Sequence, residues 1–97
     1  MQYKENEQIN IVFEQDNNRS AAYMDGKQIG ECDISASGNI WTITHTGVRP
    51  EYGGRGIAKK LVLCVTEAAR ANKAKIVPLC SYANKVMSDK EEFKDVL

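Results

Sequence analysis

The sequence predicts a small α/β domain with a mixed sheet: an antiparallel meander followed by one long helix, a splayed fifth strand and a short C-terminal helix. Three observations carry this. Apolar residues alternate through the first half, they change to helical spacing after Gly56, and a chain of 97 residues that is 42% hydrophobic can fill one core and not two. One domain over residues 1–97 is the frame into which every motif must fit.

The elements follow in order. Ile9, Ile11 and Phe13 share one face of a first strand, and after the polar stretch Asp16–Arg19 the run Ala21–Met24 returns as the second. Asp25-Gly26 separates that run from Lys27-Gln28-Ile29, and Asp-Gly suits a tight hairpin whose central residues need positive φ. Ser37-Gly38-Asn39 closes the third strand. Ile40–His45 is dense in β-branched and aromatic residues and reads as a central strand, with Trp41, Ile43 and His45 on one face. Four antiparallel strands thus account for the chain to about Val48.

From about Gly56 to Asn72, residues Ile57, Leu61, Cys64, Val65, Ala68 and Ala69 form an apolar stripe, and Lys60, Glu67, Arg70 and Lys73 lie off it. Ile76–Cys80 reads as a short apolar fifth strand. Pro78 within it cannot donate to a ladder, so one side of that strand is expected to be unpaired or splayed. The tail from Tyr82 to Leu97 is expected to hold one or two short helices.

Composition excludes several functions. Lys plus Arg balance Asp plus Glu at 13 each, so no basic field exists to hold nucleic acid. No apolar run approaches the roughly 20 residues that cross a bilayer, and Met1–Glu5 lacks the apolar core of a signal peptide. Cys32, Cys64 and Cys80 are odd in number and lack C-x-x-C spacing, against both a disulfide framework and a metal site. The expectation is a cytoplasmic protein with free thiols, no metal, no membrane and no nucleic acid.

The informative segment is Val48–Ala58, where Gly53, Gly54 and Gly56 meet the start of the long helix. Glycines let the backbone approach a ligand, and a helix start adds unpaired N–H donors and partial positive charge, which together make an anion site. Arg55, Lys59 and Lys60 put three cations where the helix dipole disfavours them unless an anion is near. Glycines here can also serve the turn alone. The spacing is neither G-x-G-x-x-G nor G-x-x-x-x-G-K-[ST], so hydride transfer and nucleotide hydrolysis are disfavoured.

These residues resemble the GNAT superfamily of acetyl-coenzyme A-dependent N-acetyltransferases, whose signature V-x-P-x-x-[RQ]-G-x-G-x-[GA] is matched by Val48, Pro50, Gly54, Gly56 and Ala58. The order of meander, turn, helix, Pro78-bearing strand and terminal helix is similar to the minimal stand-alone, YjdJ-like branch of N-acetyltransferase domain proteins. The resemblance implies acetyl-CoA as co-substrate. It implies that the backbone of Gly53, Gly54, Arg55, Gly56, Ile57 and Ala58 holds its pyrophosphate, and that Thr46, Gly47 and Val48 pair with its pantetheine arm like an added strand. Gly53 departs from the Arg or Gln usual there, with Arg55 as a substitute. The usual helices between the first two strands and the last two strands of the fold are missing, so the acceptor pocket is expected to be open or borrowed from a partner subunit. The expected state is a monomer or weak homodimer.

Acetyl transfer to an amine needs a base, oxyanion donors and an acid for the leaving thiolate. His45 is the only histidine, suited to a base or to a structural hydrogen bond. Cys80 is a candidate nucleophile or a small core residue, and Tyr82 a candidate acid or an anchor for the last helix. Cys32, Cys64 and Trp41 read as packing. The expected function is acetyl transfer to a primary amine of unknown acceptor. The alternative is an acyl-CoA sensor or interaction module without efficient transfer.

Overall fold

The computed structural model describes residues 8–97; the stretch Met1–Glu5 discussed above lies outside the described residues. A five-stranded sheet runs in the order β1 (Asn10–Glu14), β2 (Arg19–Met24), β3 (Lys27–Ser37), β4 (Ile40–Val48) and β5 (Lys75–Pro78). The first four strands pair antiparallel and β5 joins β4 in parallel. A 3-10 turn, Gln15–Asn17, is all that separates β1 from β2. Asp25 and Gly26 both have positive φ (52° and 78°), as a two-residue hairpin of this twist requires.

The parallel β4–β5 pair needs a crossover, supplied by α1 (Ile57–Ala71). Its buried face, Ile57, Leu61, Val62, Val65, Thr66 and Ala69, takes in Val62 and Thr66 and leaves out Cys64 and Ala68, so it is rotated from the stripe expected from spacing, and α2 (Ser81–Met87) flanks the helix. Cys64 is therefore only half-buried, whereas Cys32 is fully buried. The Ser20 hydroxyl fixes α1 over the sheet by donating to the Leu61 carbonyl at 2.8 Å, a bond made entirely inside the core. Trp41 is buried and stacks on Phe13 at 5.4 Å, consistent with packing.

The C-terminal residues complete the core. Phe93 and Val96 are buried, Ile76 N–H donates to the Val96 carbonyl, and Arg70 forks onto both carboxylate oxygens of Asp95 at 2.7 and 3.0 Å. Among the described residues, no helix is long and apolar enough to cross a membrane, and no cluster of His, Cys, Asp and Glu could hold a metal.

Two corrections bear on the site. The fifth strand ends at Pro78 instead of reaching Cys80, because the ladder loses its donor there and the chain turns into α2. Trp41, Ile43 and His45 do not share a face. Asp33 pairs with His45 but Ile34 pairs with Ile43, so Thr44 is an extra residue, a bulge that reverses the alternation. Trp41 and Ile43 stay in the core and His45 turns out to the opposite, open face.

Candidate active site

The end of β5 creates the central feature. β4 and β5 pair only from Ile40–Lys75 to Ile43–Pro78. The Leu79 and Cys80 N–H groups then both donate to the Ile43 carbonyl, at 3.1 and 3.0 Å, and the chain leaves the sheet. β4 continues through Val48 without β5 beside it, leaving a wedge-shaped gap. Pro78 therefore stands where pairing stops, as its missing donor requires.

The bulge decides what faces this gap. Arg49 N–H donates to the Ile29 carbonyl at 2.8 Å, which directs the main-chain groups of Arg49, Gly47 and His45 towards β3. By alternation, Thr46 and Val48 direct their N–H and C=O groups into the gap. Their side chains point to the helical side of the sheet. The Thr46 hydroxyl lies 3.5 Å from the sulfur of Cys32 and 3.5 Å from that of Cys80. Burial pushes the Cys32 thiol up to about 12, which leaves it protonated and inert at neutral pH.

Cys80 caps α2: its Sγ accepts from Ala83 N–H at 3.3 Å. It is half-buried at the throat of the gap, off the strand on which the sequence puts it. Tyr82, on the first turn of α2 two residues beyond Cys80, lines the same opening. A cavity of about 240 Å³ there is formed by Val48, Tyr52, Gly53, Gly54, Gly56, Ile57, Ala58 and Tyr82. Burial raises the Tyr82 hydroxyl pKa above the ordinary tyrosine value.

The glycine turn is open towards this cavity. Gly54 and Gly56 have φ of +80° and +77°, and a Cβ added at either would meet nothing within 4 Å. The absent side chains leave room for a ligand, and the backbone conformation itself demands glycine. Gly56 caps α1 without a side-chain hydrogen bond, and no acidic residue sits in its first turn. The first N–H groups of α1 thus have no intrahelical acceptor. Gly53 differs: its N–H closes the turn Pro50–Tyr52 onto the Pro50 carbonyl at 3.0 Å. Arg55 lies over the Tyr52 ring, 5.5 Å from its centroid. Ile57 is buried and anchors the helix start. These residues fit a diphosphate: they offer main-chain donors, space and nearby cations, with no competing carboxylate in the first turn.

His45 stands on the open face, with 56% of its side chain exposed and Nε2 2.9 Å from Oε2 of Glu31. The other oxygen of Glu31 accepts from the Gln28 side chain at 3.2 Å. Gly47 makes the pair possible, since a Cβ there would come within 2.8 Å of His45 Nε2 and 3.1 Å of Glu31 Oε2. Sequence reasoning missed Glu31. Its alternation with the core residue Cys32 places it on the outer face, but the Thr44 bulge that turns His45 towards it carries no residue signature.

The sequence-predicted residues therefore fall into two groups. Thr46, Val48, Gly54, Gly56, Ala58, Cys80 and Tyr82 surround one opening, while His45 and Gly47 lie across β4 on the other face.

Comparisons with known proteins agree with this architecture. The sequence pattern of the GCN5-related N-acetyl-transferase family matches residues 19–96. A GCN5-like N-acetyltransferase candidate from Staphylococcus aureus, solved by NMR, is 32% identical over 96% of this chain and 89% of its own, with a TM-score of 0.69. A GNAT acetyltransferase from Brucella melitensis, in complex with acetyl-CoA, is 21% identical over 69% of this chain (TM-score 0.56). The PaiA N-acetyltransferase of Thermoplasma acidophilum, in complex with coenzyme A, is 22% identical over 57% (TM-score 0.53). These two are alike in fold alone, and the chain covers 49% and 35% of their lengths. A comparison with curated protein sequences returns no match. With a glycine turn opening onto an uncapped helix, a fourth and fifth strand that part at Pro78, and a family pattern spanning residues 19–96, the chain belongs to the GCN5-related N-acetyltransferase family.

Proposed function

We propose that this protein transfers the acetyl group of acetyl-CoA to a primary amine. The observation that carries the reading is the gap between β4 and β5, which runs from the Gly54–Ala58 cradle to the throat between Thr46 and Cys80. Acetyl-CoA supplies the activated acyl thioester. The main-chain donors at the start of α1 hold its diphosphate, and Thr46 and Val48 pair with its amide-bearing arm. The Staphylococcus relative, aligned over 89% of its own length, and the bare turn between β1 and β2 both support a place in the minimal branch of the family. The free cysteines support a reducing, cytoplasmic setting.

The acceptor arrives as an ammonium and must lose a proton before its nitrogen can attack. A carboxylate beside Nε2 favours the tautomer with hydrogen on that nitrogen, leaving Nδ1 of His45 with the lone pair that accepts the proton. The new C–N bond forms as the C–S bond breaks, and the departing thiolate takes a proton from Tyr82. The raised pKa of Tyr82 keeps its hydroxyl protonated for that task. Transfer is direct in this reading, with the Cys80 sulfur assigned to capping α2.

Amide NMR during titration with acetyl-CoA tests the proposal, with Gly56→Glu as control and product mass as the readout of turnover. Saturable shifts over residues 46–58, lost in the variant, together with acetylated amine, are the expected result. Shifts without turnover would favour an acyl-CoA sensor. An absence of shifts at millimolar ligand would sink both.

A further inference from the structure

The open face of the sheet holds a cavity larger than the one at the glycine turn. It measures about 540 Å³ and is walled by Lys27, Gln28, Glu31, Gly47 and Arg49 together with the Ile29 and Val48 segments. It borders the His45–Glu31 pair, since Glu31 and Gly47 line the one and contact the other. Cys32 and Thr46 face the helices, so Glu31 and Gly47 face away from them. The cavity and the glycine turn therefore lie on opposite sides of β4, the strand that walls the gap.

Its charges are asymmetric. The Glu31 carboxylate is engaged at both oxygens, by His45 and by Gln28. Arg49 reaches Glu51 only at 3.9 Å, and among the described residues no carboxylate pairs with Lys27. Two cations thus line the cavity, while the Glu31 carboxylate stands in its wall and holds the His45 imidazole beside it. A ligand complementary to that arrangement carries an oxyanion at one end and an amine at the other.

We infer that this cavity is the acceptor site and that the acceptor is a small primary amine bearing a carboxylate or phosphate. Lys27 and Arg49 take the oxyanion, and the amine is directed to His45. A polycationic amine meets two like charges in the cavity and is disfavoured. This assignment rests on the acetyltransferase reading for its chemistry, but the cavity and its charge preference can be tested without turnover.

The test uses four amines of similar length: 4-aminobutyrate, O-phosphoethanolamine, butylamine and 1,4-diaminobutane. Each is titrated into the ¹⁵N-labelled protein, alone and saturated with coenzyme A, and each is assayed with acetyl-CoA. Oxyanion-bearing amines are expected to shift the amides of Lys27, Gln28, Glu31, Gly47 and Arg49, and to be acetylated with kcat/KM at least about tenfold above butylamine. Lys27→Gln and Arg49→Gln are expected to raise KM for those amines by about tenfold and erase the preference, with the ¹⁵N spectrum reporting an intact fold. A preference for carboxylate over phosphate, or the reverse, would identify the oxyanion. Equal or better use of the diamine, shifts elsewhere, or unchanged selectivity in both variants would overturn the inference. If acetyl-CoA fails to bind while 4-aminobutyrate or O-phosphoethanolamine still shifts these amides, the acetyltransferase reading falls and the charge-selective cavity stands.

Discussion

The Thr46 hydroxyl and the Cys80 sulfur face each other at 3.5 Å across the throat of the gap, the one on β4 and the other at the cap of α2. The same sulfur accepts from Ala83 N–H. Cys80 therefore both holds a helix start and borders the end of the gap proposed to take the acyl group, and the two roles can be separated by substitution.

Cys80→Ser keeps a cap at this position and removes the nucleophilic thiol. We expect it to fold as stably as the parent and to retain at least about a tenth of kcat, while Cys80→Ala loses about 1 kcal/mol through the missing cap. Urea denaturation and steady-state kinetics check both. A complete loss of turnover in the serine variant would instead require a covalent acetyl-cysteine.

Tyr82→Phe is expected to lower kcat by about 100-fold with little change in KM for acetyl-CoA, since the ring still fills its place and only the proton donor is lost. Because burial raises the hydroxyl pKa, the donor form persists through the ordinary assay range. The kcat profile of the parent should then show no decline due to Tyr82 up to about pH 9. An unchanged kcat in the variant would contradict the assignment.

Gly30→Ala tests the packing of β3 on β4. The added Cβ would come within 2.9 Å of the Gly47 carbonyl oxygen and 3.2 Å of both Leu61 and Val48 side chains, so the backbone of β4 must move. A loss of about 1–3 kcal/mol by urea denaturation is expected, accompanied by weaker acetyl-CoA binding.

Glu14 carries a pH-dependent part of the stability. It accepts from Tyr23 at 2.5 Å and from Arg19 at 2.8 Å, and these bonds, Tyr23 first, hold its carboxyl below the ordinary value. A depressed folded pKa means the stabilisation is complete above the unfolded pKa and is lost as pH falls through the folded value. Glu14→Gln should therefore lower Tm by about 4 °C at pH 7, and the difference from the parent should close as the pH approaches 3. A difference that stays constant from pH 7 to pH 3 would show that ionisation is not its source.

Much of the fold was legible because its signals are local. The Asp25-Gly26 hairpin, the change of period at Gly56 and the missing donor of Pro78 each act within a few residues, and each stands where expected. The glycine turn was legible for the same reason. The outer face of the sheet was not. The His45–Glu31 pair depends on a one-residue slip between two strands, a relation between segments distant in sequence. Simple alternation accordingly puts His45 beside Trp41 and Ile43, the wrong neighbours. Cys80 was misplaced by one element, because its change from strand to cap follows from where the β4–β5 ladder ends.

The extra residue at Thr44 lets Ile43 point into the core and His45 point outward although only one residue separates them. Removing Thr44 would leave Ile34 opposite Ile43 and Asp33 opposite His45 in an unbroken ladder, so His45 stays outward and Thr46 and Val48 keep their place at the gap. Single-residue insertions at Gly38, in an exposed hairpin with open space around it, should be absorbed, and deletion of Thr44 should likewise leave a folded protein in which His45 still faces outward.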